Sequence, residues 1–221
     1  MGSKYDDIIP YSRDGIAFYG VIKRGAKPEL PLIVLLHGGG TTLNYFDNPV
    51  ASVVKHFNDL GHTILNISRP GYSGAPLPKT STPFMDSILA FINYIDMIYH
   101  QFTSNHEKNS GIVPIGHSIG GSLALSIAYE AKDRLPILGV SVMGSLPSKE
   151  PLDLFPGLDD DTDTDSPRYV TEPSAENIRR FMGEVEWLHP EALSESLIAS
   201  VFEPGMPVFP FAEGNLSHGR G

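Results

Sequence analysis

The chain has 221 residues, 41% of them hydrophobic and 19% charged, which suits one domain with a substantial core and argues against disorder. Its formal net charge of −10 argues against nucleic acid or an anionic membrane as partner, because both require clustered Lys and Arg. It contains no cysteine, so disulfides, thiolate metal sites and a cysteine nucleophile are excluded.

The opening residues Met1-Gly2-Ser3-Lys4-Tyr5-Asp6 hold no apolar signal core, and Asp6 stands where N-myristoylation needs Ser or Thr. No stretch approaches the length of a membrane span, so the expected location is the cytoplasm. Residues 5–10 and Ile16–Lys23 read as two short strands around the turn-forming Ser12-Arg13-Asp14-Gly15, an antiparallel pair opening a sheet. Leu32–Leu36, five consecutive aliphatics, reads as a strand covered on both faces. It runs into His37-Gly38-Gly39-Gly40, a glycine run whose amides can approach a ligand closely.

A helix then carries its own boundaries, with Asn48 as N-cap, Pro49 in the first position, Val50, Val53, Val54, Phe57 and Leu60 on one face, and Gly61 as stop. Residues 62–67 form the next strand. A long core helix starts at Thr82-Pro83 and repeats Phe84, Ile88, Phe91, Ile92, Ile95, Ile98, Tyr99 and Phe102 at helical spacing. Residues 112–115 are the following strand, where Pro114 predicts a local irregularity because it has no N–H for the ladder. After a helical stretch at 122–131, residues 136–143 form one further strand. Strands alternating with helices predict a parallel sheet with right-handed crossovers and ligands bound beyond its C-terminal strand ends.

The chemistry concentrates at Gly116-His117-Ser118-Ile119-Gly120-Gly121, between a strand and a helix. A tight strand-to-helix turn holds a serine oxygen exposed, its flanking glycines leave room for neighbouring backbone, and the helix N-terminus offers free N–H groups to a developing oxyanion. Ser118 is therefore the candidate nucleophile, with Gly38, Gly39 and Ile119 the candidate oxyanion-hole residues.

These motifs, with Asn66-Ile67-Ser68-Arg69-Pro70-Gly71-Tyr72-Ser73-Gly74 between them, resemble the α/β-hydrolase family: an HG-type oxyanion loop after the third strand, an Arg-rich glycine turn after the fourth, and a G-H-S-x-G-G elbow after the fifth. The resemblance covers residues 5–145. It implies an α/β-hydrolase fold, a mostly parallel sheet with helices on both faces and a helical lid, and a serine hydrolase without cofactor acting on a small acyl or ester substrate. Tyr72 reads as a packed aromatic, with projection into the pocket as its alternative.

The family order Ser, acid, His is not completed in the usual way. Only His189 and His218 follow Ser118. His189 precedes the proline that opens a helix, and His218 lies in a terminal Ser-His-Gly-Arg-Gly, so neither is expected to bond Ser118. Glu150 and Asp153 follow the last strand as weak acid candidates, Asp153 and His189 being retained for acid and base. The last two strands of the resembled fold have no counterpart after residue 205, so the chain reads as a C-terminally shortened form.

The expected organisation is a hydrolase core at 1–145, a lid at 146–205 and an irregular tail at 206–221. The acidic run at 159–165 imitates a calcium loop through Asp161, Asp163, Asp165 and Glu172, but Ser166 replaces the required glycine and precedes a proline, so no metal is expected. The strand at 136–143, apolar and uncharged, is expected to be an uncovered sheet edge through which the chain self-associates, unless lid or tail folds over it. Two functions stay open: a serine hydrolase, or a ligand-binding form without turnover.

Overall fold

The computed structural model describes residues 5–79, 83–103, 110–144 and 201. Six strands form one sheet in the order β1-β2-β4-β3-β5-β6. β1 (Asp7–Arg13) and β2 (Ile16–Lys23) make a hairpin, and β2 pairs antiparallel with β4 (Ile64–Ile67). β3 (Leu32–Leu36), β4, β5 (Ile112–His117) and β6 (Ser141–Met143) run parallel to one another. The hairpin turn is narrower than the sequence suggests. Asp14 and Gly15 alone form it, at φ 52° and 80°, which lets β1 continue to Arg13.

The aliphatic run of β3 is fully buried and divides between two cores. Leu32, Val34 and Leu36 join the cluster under α2 (Pro83–Thr103) and α3 (Ile119–Glu130), with Phe91, Ile95, Leu123 and Ile127. Ile33 and Leu35 face the other way, onto Phe46 and Val54, the latter from α1 (Val53–Asp59). This is the two-residue alternation of a strand with helices on both faces. In α2, Ile88, Phe91, Ile92, Ile95 and Ile98 are buried, and half-buried Tyr99 and Phe102 pack on the same cluster. The side chain of Phe84 lies outside the described residues.

Among the expected boundaries that move, those of α1 and of the sixth strand have a visible cause. α1 begins at Val53, because Ser52 is its N-cap and accepts from the Lys55 N–H at 2.8 Å. Asn48 instead closes a turn before the helix, its Oδ1 accepting from the Val50 and Ala51 N–H groups at 3.0 and 2.8 Å. The sixth strand is Ser141–Met143 rather than 136–143, preceded by one isolated bridge between Ile112 and Ile137.

Pro114 explains part of that interruption. The β3–β5 ladder runs unbroken through the Val34–Pro114 pair. On the other side, Ile112 donates to Pro136 O and accepts from Leu138 N, so the N position of Pro114, two residues on, faces β6 as well. Pairing with β6 resumes only at Ile115–Ser141, leaving three residues opposite two. The proline is tolerated because its missing donor points at the irregular neighbour, not at β3.

Among the described residues β6 is one edge of the sheet, opposite β1, and Leu138 (56%) and Met143 (40%) are exposed there. No described helix is long and apolar enough to cross a membrane. The lid and tail expected at 146–205 and 206–221 lie outside the described residues except Val201, which is helical and buried.

Candidate active site

The ladder itself assembles the motifs. β3 ends beside β5 at the Leu36–Gly116 pair and beside β4 at the Leu36–Ile67 pair. The residues that follow, His37–Gly40, Ser68–Gly74 and His117–Ser118, therefore emerge side by side at the C-terminal ends of three parallel strands. A Cβ built on Gly38 would lie 3.3 Å from Ser118 Cβ and 3.0 Å from His117 Nδ1.

Ser118 is the N-cap of α3 and stands at φ 54°, ψ −123°, a left-handed conformation that a non-glycine residue adopts only under constraint. Its constraint is steric. A Cβ on Gly116 would come 2.0 Å from the Gly120 carbonyl oxygen, and one on Gly120 would come 2.0 Å from that of Leu36. The two glycines let α3 lie directly on β5 and β3. The Ser118 N–H donates to Met143 O at 2.8 Å, tying the turn to β6.

The 37–41 loop is held by side-chain hydrogen bonds instead. His37 and Thr41 are buried, and the Gly38 carbonyl accepts from His37 Nδ1 at 2.9 Å and from Thr41 Oγ1 at 3.1 Å. The Gly40 N–H donates to Tyr72 Oη at 3.3 Å. Among the described residues the amides of Gly38, Gly39 and Ile119 donate to no acceptor.

Beneath this loop lies a fully buried aromatic and cationic layer. The Arg69 guanidinium stacks over Tyr72 at 4.3 Å from the ring centroid, and the His37 and Tyr72 rings meet edge to face at 5.2 Å. Burial and the Arg69 charge hold the His37 imidazole at a pKa of about 3, so it is neutral at ordinary pH. Tyr72 is 0% exposed, so it does not project into a pocket. His117 stacks on Tyr45 at 4.7 Å, and burial lowers its pKa.

Sequence reasoning identified Ser118 and the glycine run but not Thr41 or the structural use of Tyr72 and Arg69. The one signal for the last two was an arginine and a tyrosine inside a glycine turn that abuts the His37–Gly40 loop. Among the described residues Ser118 Oγ has no hydrogen-bond partner, histidine included. Asp153, His189, Glu150, His218 and the acidic run at 159–165 lie outside the described residues. No described group of three or more His, Asp or Glu is placed to hold a metal.

The profile of the alpha/beta hydrolase family matches residues 33–218. The chain belongs to this family. An AqdC variant, from a structure of recognition and ring cleavage of the Pseudomonas quinolone signal, is 19% identical at a TM-score of 0.50, covering 66% of this chain and 48% of that one. The 2-hydroxy-6-oxo-6-phenylhexa-2,4-dienoate hydrolase of Rhodococcus sp. strain RHA1 is 22% identical, with a TM-score of 0.46 and coverage of 68% and 50%. An epoxide hydrolase from hot-environment metagenomes is 17% identical, with a TM-score of 0.47 and coverage of 66% and 43%. This α/β-hydrolase chain thus spans about half the length of such structures or less. No curated protein matches it.

Proposed function

We propose that this α/β-hydrolase chain is a serine hydrolase acting on an ester, lactone or related carbonyl compound through an acyl-enzyme on Ser118. The observation that carries the reading is one juxtaposition. A serine at φ 54° on a helix N-terminus stands next to a glycine loop, and amides from both sides, Gly39 and Ile119, have no acceptor among the described residues. In the reaction, Ser118 Oγ adds to the carbonyl carbon as its proton passes to a general base. The carbonyl π electrons move onto oxygen, which takes hydrogen bonds from the Gly39 and Ile119 N–H groups, with Gly38 beside them. Collapse expels the alcohol, which takes the proton, and water then hydrolyses the acyl-enzyme by the same sequence.

Asp153 and His189 are the candidates for acid and base, and residues 146–205 for a lid. What supports a lid at this end of the sheet is that Val201 O accepts from both the backbone N–H and the hydroxyl of Thr42, at 2.9 and 3.3 Å, next to the glycine loop. Each oxyanion donor contributes roughly 3–4 kcal/mol of transition-state stabilisation in such sites.

A fluorophosphonate probe tests the reading, because only an activated serine is phosphonylated. We expect one adduct, located by mass spectrometry on Ser118 and lost in Ser118→Ala. A second reading, a ligand-binding form without turnover, is favoured by the unpartnered Ser118 Oγ among the described residues. Absence of any adduct on folded protein would replace the first reading by the second.

A further inference from the structure

We infer that Thr41 and His37 are positioning residues, which hold the Gly38–Gly39 peptide in the orientation that presents the Gly39 N–H as an oxyanion donor. The inference rests on the serine-hydrolase reading and assigns a role to two side chains that touch no substrate. It begins with proton accounting. A carbonyl oxygen only accepts, so the 2.9 Å contact between His37 Nδ1 and Gly38 O corresponds to the Nδ1–H tautomer. That nitrogen, 3.3 Å from Thr41 Oγ1, then cannot accept from the threonine, whose hydroxyl donates to the same Gly38 oxygen at 3.1 Å. The Gly38 carbonyl is thereby held from the buried side by two donors that are 0% and 3% exposed.

No described peptide is cis, and across a trans peptide the C=O of one residue and the N–H of the next point in opposite directions. Drawing the Gly38 oxygen inward turns the Gly39 N–H outward, away from the His37–Thr41 pair. The glycine sequence makes this choice necessary. Between two glycines the peptide can rotate by about half a turn at little steric cost, which would put a carbonyl oxygen where the donor belongs and repel an oxyanion. The neighbouring amide cannot substitute, since the Gly40 N–H is committed to Tyr72 Oη. Thr41 thus supplies the peptide orientation that a Cβ would have restricted elsewhere.

The test compares Thr41→Val, which keeps the β-branched shape without the hydroxyl, with Thr41→Ser, which keeps the hydroxyl. Wild type and both variants are assayed on a p-nitrophenyl ester, titrated with phenylboronic acid as a tetrahedral-adduct mimic, and melted thermally. We expect Thr41→Val to lower kcat and boronic acid affinity by roughly 10- to 100-fold with KM within about twofold, and Thr41→Ser to restore both to within about threefold. Wild-type kcat in Thr41→Val, or equal losses in the two variants, overturns the inference. Wild type that neither hydrolyses the ester nor labels with fluorophosphonate removes the hydrolase reading alone. The crystal structure of Thr41→Val then decides: a turned 38–39 peptide supports the orienting role, and an unchanged peptide overturns it.

Discussion

The elbow at Ser118 and the loop at His37–Thr41 sit at the ends of neighbouring strands, yet they are held by opposite means. The elbow is fixed by exclusion, because Gly116 and Gly120 bring backbone so close that no side chain fits. The loop is fixed by attraction, through hydrogen bonds from His37 and Thr41 to the Gly38 carbonyl and from the Gly40 N–H to Tyr72, in an otherwise permissive glycine run. Exclusion leaves one arrangement or none, whereas hydrogen bonds can be weakened one at a time. Substitutions at the elbow should therefore fail as folding defects, and those at the loop as graded losses.

The largest effect is expected at Gly120. Adding one methyl group in Gly120→Ala places a carbon 2.0 Å from the Leu36 carbonyl oxygen, where both atoms belong to packed backbone. α3 would have to lift from β3, uncovering Leu123 and Ile127, which are fully buried. We expect a loss above about 4 kcal/mol, read as absence of a cooperative melt by circular dichroism. A Gly120→Ala protein melting within a few degrees of wild type would show that the close approach is not what holds the elbow.

The loop's own dependence is on acid. The folded His37 pKa of about 3 lies below its unfolded value of 6.5, so the unfolded chain binds more protons in the interval between them. The neutral, buried state is therefore fully stabilising above pH 6.5, and this contribution is lost as pH falls from 6.5 toward 3. His117, also lowered by burial, adds in the same direction. At about 1.4 kcal/mol per pH unit, chemical denaturation at pH 5 should report a protein about 2 kcal/mol less stable than at pH 7. A His37→Gln variant should lose most of that slope. Equal stability at the two pH values would mean that the imidazole is not buried neutral.

These contrasts also explain what the sequence disclosed. The parallel sheet and the meeting of the serine elbow with the glycine loop were legible because they follow from alternating hydrophobic periods and from parallel topology. The elbow was legible because steric exclusion leaves a glycine signature at fixed spacing. The Tyr72 and Thr41 contacts were not, because a hydroxyl that bonds backbone has no periodicity, and any Ser, Thr or Tyr near a loop looks the same. Ser52 displaced Asn48 as the α1 cap for a related reason: both are good caps, and the choice was made by the Asx turn that Asn48 closes around Pro49. β6 is shorter than its apolar content suggests because Pro114 offers it no donor, which interrupts the ladder between the Ile112–Ile137 bridge and the Ile115–Ser141 pair.

The smallest effect on stability is expected at Gly139, which sharpens the comparison from outside the site. Unlike Gly116 and Gly120, it meets no atom within 4 Å of a built Cβ, so nothing is excluded by its lack of a side chain. It lies on the approach to β6, between Leu138 and Val140, both exposed. The strand residues Ser141–Met143 bring no charge to this edge, and charged residues are what ordinarily keep edge strands from pairing with other chains. We therefore propose that the chain self-associates here, with weight-average mass rising with concentration in sedimentation equilibrium. A lysine at this position adds the missing charge without entering any packed space. Gly139→Lys should change unfolding stability by less than about 0.5 kcal/mol while holding the protein monomeric at concentrations where wild type associates. If wild type is monomeric throughout, the edge is covered by another part of the chain. If the variant associates as wild type does, the contact lies elsewhere on the surface.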